Sequence, residues 1–184
     1  MNANKFDNGR IRLLTKDDLT LLLAWRNHSN IRQFMLNQQE ITLCEHQLWF
    51  KKSSNNISQY LLIYERSDVP EGFVQFTKTT SENVANWGFF AAPNSSKGTG
   101  KRICKAALDY GFRTLNLHKI CGKVLEFNTL SIHLHLSLGF KNEGTLRQHH
   151  HIDSNYHNVI CFGLLNFEWE INSMESSDDS FKNH

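Results

Sequence analysis

The stretch Ser95-Ser96-Lys97-Gly98-Thr99-Gly100-Lys101 sets glycines one residue apart among hydroxyls and lysines. Glycine lets a backbone close tightly around a ligand, and the first turn of a following helix aims free N–H groups at it. This is the chemistry of an anion cradle, and a diphosphate suits it. The spacing is not that of a Walker A loop, which has a longer glycine interval and a Lys-Ser/Thr ending. A dinucleotide fingerprint is excluded too, because the strands read before this loop form an antiparallel meander rather than opening a parallel unit.

Other reactive side chains are less organised. Cys44, Cys104, Cys121 and Cys161 are widely spaced with no C-x-x-C pair, and they read as small buried or half-buried apolar residues rather than bridges or ligands. In a strand only His149 and His151 of the His149-His150-His151 run share a face, and no further ligand pair shows zinc-like spacing, so no metal is expected.

The elements that must position the loop follow from periodicity. Arg10 to Leu14 alternates as a first strand. Thr15 with Asp18, and Thr42 with Glu45, carry capping-box signatures that open two helices. The first shows Leu19, Leu22, Leu23 and Arg26 on one face, and the second carries His46, Trp49 and Phe50 until the Ser53 to Ser58 run breaks it. Gln59 to Tyr64, Glu71 to Thr79 and Val84 to Ala92 read as strands, with turns at Asp68-Val69-Pro70 and Ser81-Glu82-Asn83. Pro93 ends the third, and the glycine loop leads into a long helix with Ile103, Ala107, Tyr110 and Thr114 on one face. Lys119 to Leu125 is strand-like, as are the region beginning at Gly139-Phe140 and Asn158 to Trp169. Ile132 to Leu138 alternates strictly, which by period alone is a strand.

At 184 residues with a net charge of +2, the chain is expected to form one domain over residues 1–171, with a polar, disordered tail over 172–184. The charge is too small and dispersed for nucleic-acid binding. Met1 to Arg10 is polar, and no apolar run reaches membrane-spanning length, so a cytoplasmic protein that does not engage membranes is expected. A homodimer is left open.

The order of these parts over Arg10 to Trp169 resembles the GNAT superfamily of acetyl-CoA-dependent N-acetyltransferases, with Ser95 to Gly100 at its glycine motif and Val124 to Ile132 with Leu138-Gly139-Phe140 at its closing strand, loop and helix. Ser95 stands where the family has Gln or Arg. The resemblance implies an α/β (α+β) fold with a mixed, mostly antiparallel central sheet flanked by helices. It also makes 132–138 a helix, and the resemblance is followed there. Acetyl-CoA is the implied co-substrate, contacted by Phe89, Phe90, Ala91, Ser96, Lys97, Gly98, Thr99, Gly100, Lys101, Asn128 and Ser131, with the backbone of Gly88 to Ala91 aligning the pantetheine arm. Residues 25 to 49 (Trp25-Arg26-Asn27-His28, Phe34-Met35, His46, Trp49) are similar to the branch that acetylates the 4-amine of a UDP-linked amino-dideoxy sugar in pseudaminic acid biosynthesis, for flagellin glycosylation.

On that likeness the acceptor is a UDP-amino sugar. Arg26 and His46 pair with phosphate, Trp49 lies against uracil or sugar, Met35 meets a methyl group, and Thr77 and Lys78 add polar contacts. Direct attack on the thioester needs a free amine, an oxyanion donor such as an N–H near Phe89 or Phe90, and a proton for the thiolate. His135 stands where the family has the tyrosine that gives that proton, and is expected as general acid. Glu126, at the end of the central strand, is the expected base. The rival readings are an N-terminal protein acetyltransferase and a non-catalytic acyl-CoA-binding module.

Overall fold

The computed structural model describes residues 9–171, and the expected tail over 172–184 lies outside them. The contacts group these residues into two units, residues 9–77 with 88–110 and residues 78–87 with 111–171.

The first unit holds β1 (Arg10–Leu13), β2 (Gln59–Arg66) and β3 (Val69–Lys78), in which β2 pairs antiparallel with both β1 and β3. Helices α1 (Leu19–Asn27), α2 (Ser29–Arg32), α3 (Leu43–Ser54) and α4 (Thr99–Asp109) complete it, together with the second half of β4 (Val84–Ala91). Both capping boxes form: Asp18 accepts from the Thr15 backbone at 2.8 Å, and Glu45 from the Thr42 backbone at 2.7 Å. The apolar face of α1 (Leu19, Leu22, Trp25) meets Leu61, Ile63 and Phe73 in a core against which Met35, Trp49 and Phe90 pack. A buried carboxylate network braces β1: Glu65 accepts from Arg10 and Arg12, each at 2.6 Å, and Asp18 takes both ends of Arg12 at 2.7 and 2.8 Å.

One turn is shifted from its expected place. Ser67 and Asp68, with φ of 50° and 60°, make the two-residue hairpin turn. Val69 and Pro70 therefore belong to β3. Pro70 is tolerated because it faces Glu65 at a register irregularity, where no ladder N–H is demanded.

In the second unit the first residues of β4 run parallel to β5 (Lys119–Leu125), with pairs from Val84↔Lys119 to Asn86↔Cys121. β7 (Asn155–Leu165) pairs antiparallel with β5 and with β6 (Lys141–Ile152), so the pairing is mixed and mostly antiparallel. Residues 166–171, expected as strand, are helical. The alternating segment belongs to α5 (Thr129–Ser137), against its period and as the family resemblance implied. Asn128 caps its start, accepting from the Ser131 N–H at 3.2 Å, and Gly139 at φ +90° ends it by turning Phe140 N–H back to the His135 carbonyl at 3.1 Å. Leu130 and Leu136 are left 77% and 50% exposed, so the capping residues override the alternation.

Among the described cysteines none is bonded. Cys104 is buried and Cys121 and Cys161 half-buried, but Cys44 is exposed, correcting its expected burial, because it sits on the outer face of the first turn of α3. No helix among the described residues is long and apolar enough to cross a membrane.

Candidate active site

A cavity of about 250 Å³ lies wholly within the first unit, where α1, α3, β3 and the second half of β4 meet. Its wall is mostly apolar, with Met35, Trp49, Phe73 and Phe90 prominent, and Arg26, His46 and Gln75 bring its polar side chains. Among the described residues that line it none is Asp or Glu. Four residues expected for acceptor binding, Arg26, Met35, His46 and Trp49, are thus brought together. Thr77 and Lys78 do not line it, because Thr77 instead accepts a hydrogen bond from Gln75 at 3.1 Å.

Two of the residues that line this cavity each carry a buried polar atom without a partner, Arg26 Nη1 and His46 Nε2. The other Arg26 amino group donates to the Asn37 carbonyl, and Asn27 clasps Ile41 through N–H···O bonds of 2.8 and 2.9 Å, which holds the 37–41 segment over the cavity wall. His46 stacks on Trp49 with ring centroids 5.0 Å apart. Burial, and then the neighbouring Arg26 charge, push the His46 pKa down from its ordinary value, although a hydrogen bond to the Leu19 backbone works the other way.

The same strand that supplies Phe89 and Phe90 ends at Ala91 and runs through the glycine loop into α4. Gly98, at φ +87°, is the N-cap of that helix; Thr99 N–H donates to the Ser96 carbonyl at 3.1 Å, and the N–H groups of Gly100 and Lys101 follow it in the uncapped first turn. Thr99 is buried, its hydroxyl 3.2 Å from that of Ser96, and Lys97 and Lys101 are exposed on either side of the turn. Ser95 folds back onto the Ala92 carbonyl at 2.6 Å, outside the cradle.

Arg102 was missed by sequence reasoning. Its Nη2 donates to Ser96 at 3.1 Å and Thr99 at 2.6 Å, while its Nε is buried with no partner. A cation three residues past a loop hydroxyl, on the first helical turn, is the signal that would have found it. Left-handed glycine, uncapped amides and an arginine with an orphaned N–H are what a diphosphate requires, so these residues fit coenzyme A.

In the second unit the expected proton donor has another job. His135 is 2% exposed and lies among Trp87, Phe140 and Phe162. Its Nδ1 donates to the Ser131 carbonyl at 2.7 Å, and its Nε2 accepts from the Trp87 indole at 3.2 Å. Burial lowers its pKa. A neutral ring with its one proton spent inside its own helix cannot serve as general acid, so His135 is a core residue here. Glu126, the expected base, accepts from the Asn158 backbone at 3.0 Å and side chain at 2.8 Å. Those bonds, the backbone one first, lower its pKa, which makes it a strand latch and a poor base. Asn128 and Ser131, expected at the pantetheine arm, are joined to each other by the α5 cap.

Residues 10–141 match the family model described as acetyltransferase (GNAT) domain. Spermidine N(1)-acetyltransferase of Escherichia coli (strain K12) is 26% identical over 162 residues, 87% of each chain. Acetyltransferase PseH of Campylobacter jejuni is 28% identical over 123 residues, covering 66% of this chain and 76% of that one. The crystal structure of spermidine N-acetyltransferase from Vibrio cholerae in complex with CoA and spermine superposes with a TM-score of 0.82 at 25% identity, over 88% of this chain and 98% of the other.

Proposed function

The chain belongs to the GNAT acetyltransferase family and transfers acetyl groups from acetyl-CoA to an amine, and from that premise we propose that the amine is carried by a UDP-linked amino-dideoxy sugar of the kind used in pseudaminic acid biosynthesis. One observation carries this reading. The cavity holds a half-buried arginine with a partnerless Nη1, and among the described residues that line it there is no carboxylate. A buried cation without a counter-charge is costly until an anionic group meets it, and the diphosphate of a nucleotide sugar supplies one.

The wall supports the rest of such a ligand. Trp49 gives a flat face for a uracil or pyranose ring, and Met35 an adaptable thioether for the methyl group of a deoxy sugar. The Gly98 turn, Thr99 and Arg102 would hold the diphosphate of acetyl-CoA, whose thioester supplies the acetyl group.

Several relatives bear the name of spermidine acetyltransferases, which puts polyamines forward as rivals. A polycation is recognised by carboxylates, and Arg26 repels it. The deciding experiment is a thiol-release assay with acetyl-CoA, in which a UDP-4-amino-4,6-dideoxy sugar, spermidine and an N-terminal peptide are offered in parallel. Turnover of the sugar nucleotide at the lowest concentration is expected. Turnover confined to spermidine or to the peptide overturns the assignment, and CoA binding with no turnover in any arm favours a binding module.

A further inference from the structure

We propose that Gln75 orients the acceptor for attack: its carbonyl oxygen Oε1 takes a hydrogen bond from the uncharged acceptor amine and so aims the nitrogen lone pair at the thioester. The proposal rests on the cavity being the acceptor site, as the proposed function has it, but not on which amine fills it.

Gln75 is a half-buried polar residue in a mostly apolar wall. Along β3, Phe73, Gln75 and Thr77 share one face, while Val74 and Phe76 are fully buried on the other. Phe73 and Gln75 both line the cavity, together with Met35, Trp49 and Phe90. The Gln75 amide is anchored at one end, because Nε2 donates to Thr77 Oγ1 at 3.1 Å, a residue that does not line the cavity. With the nitrogen so engaged, the carbonyl oxygen is directed elsewhere. Among the described residues nothing donates to Oε1, and it is not one of the buried atoms left without a partner, so it is an accessible acceptor. A polar atom set among apolar side chains gains from a donor that a ligand brings.

Charge decides the form of that donor. Arg26 lines the same cavity and no carboxylate does among the described residues, so an ammonium is repelled there. The neutral amine is also the form that attacks. An amide carbonyl holds its N–H without drawing in a cation, whereas a carboxylate would attract the ammonium or pair with Arg26. Gly88, Phe89 and Phe90 of β4 line the same cavity, and the family resemblance puts their backbone beside the pantetheine arm.

The ammonium sheds one proton to solvent before it enters. Of the two N–H bonds of the neutral amine, Gln75 holds the one that survives in the amide product. The nitrogen lone pair forms the C–N bond at the thioester carbonyl, and the C–S bond breaks with its electron pair leaving on sulfur. The other nitrogen proton ends on that sulfur, giving the thiol. Gln75 itself neither gains nor loses a proton.

The test pairs a variant with a change in the ligand. On whichever acceptor the wild type turns over, two analogues replace the reacting amine, one by hydroxyl, which keeps a donor, and one by hydrogen, which has none. As competitive inhibitors of the wild type, the hydroxyl analogue is expected to bind about tenfold more tightly than the hydrogen analogue. Gln75→Leu is expected to erase that difference and to lower kcat about tenfold, with Tm and the KM for acetyl-CoA unchanged. A hydroxyl preference that survives in Gln75→Leu overturns the proposal, as does an unchanged kcat. Should Gln75→Leu fail to fold, Thr77→Val carries the test, because it frees the amide but keeps the oxygen. It is expected to lower kcat and the hydroxyl preference severalfold, and wild-type values of both overturn the proposal. If these signatures hold on an amine other than the sugar nucleotide, only the substrate assignment falls; if no amine is acetylated, both fall.

Discussion

Replacing Arg26 with methionine should weaken the enzyme's grip on its acceptor while leaving the fold as stable as before, or more so. In the free protein two effects oppose each other. Arg26 Nη1 is buried without a partner, and removing such a donor relieves about 1–3 kcal/mol. The other amino group donates to the Asn37 carbonyl, and losing that bond costs about 0.5–1.5 kcal/mol. Methionine keeps an unbranched apolar stem against Leu22, so packing changes little. The balance is a gain of about 1 kcal/mol, which in a domain of this size raises Tm by about 2–4 °C. With the acceptor bound the balance reverses. A hydrogen bond from a charged donor contributes about 1.5–3 kcal/mol, so kcat/KM for the sugar nucleotide should fall about 10- to 150-fold. Thermal melts without ligand and thiol release with varied acceptor measure the two halves separately. Arg26→Lys, which keeps charge but loses the second amino group, should fall between. A Tm lowered by several degrees with kcat/KM unchanged would refute the reasoning and make Arg26 a brace for the 37–41 segment.

Three further perturbations are readable from the structure. Gly88 lines the acceptor cavity and a Cβ there meets nothing within 4 Å, so Gly88→Val should raise the acceptor KM on the order of tenfold while leaving Tm and the KM for acetyl-CoA in place. A Cβ at Gly122 falls 2.6 Å from His135 Nε2 and 3.0 Å from Trp87 Nε1, so Gly122→Ala should break their hydrogen bond and destabilise by about 1–3 kcal/mol in urea unfolding; an unchanged midpoint would contradict the packing described. Hydrogen bonds from Arg12 and then Arg10 hold the Glu65 carboxyl below its ordinary value, and the bonds from Arg12 do the same for Asp18 against the opposing effect of burial. Folded values below unfolded ones mean stability that is present above the unfolded range near pH 4 and lost as pH falls through the folded values. Glu65→Gln should therefore lower Tm at pH 7 and flatten its acid limb, and parallel Tm-against-pH curves for the two proteins would rule this out.

What the sequence made legible was whatever depends on neighbours along the chain. Both capping boxes, strand β5 and the glycine turn are local events, and each forms where residue type and spacing place it, while the β2–β3 hairpin forms with its turn shifted to Ser67 and Asp68. Of the four cavity residues grouped by resemblance, Arg26 comes from α1 and His46 and Trp49 from α3, and Met35 reaches the same cavity from the segment between α2 and α3. What stayed hidden depends on where protons and lone pairs end up. His46 and His135 are the same side chain, both buried and both pushed toward neutrality. Nothing in their immediate neighbours distinguishes a reactive ring from a satisfied one. The difference comes from other elements: Trp87 of β4 fills the second nitrogen of His135, whereas the ring on α3 stacks on Trp49 and keeps Nε2 without a partner. Chemistry was therefore expected of the histidine standing at the family's tyrosine position, whose two nitrogens the fold satisfies from its own helix and from β4. A side chain's capacity to move a proton is set by which of its atoms the fold leaves unpaired, and that is decided by packing between elements far apart in the chain.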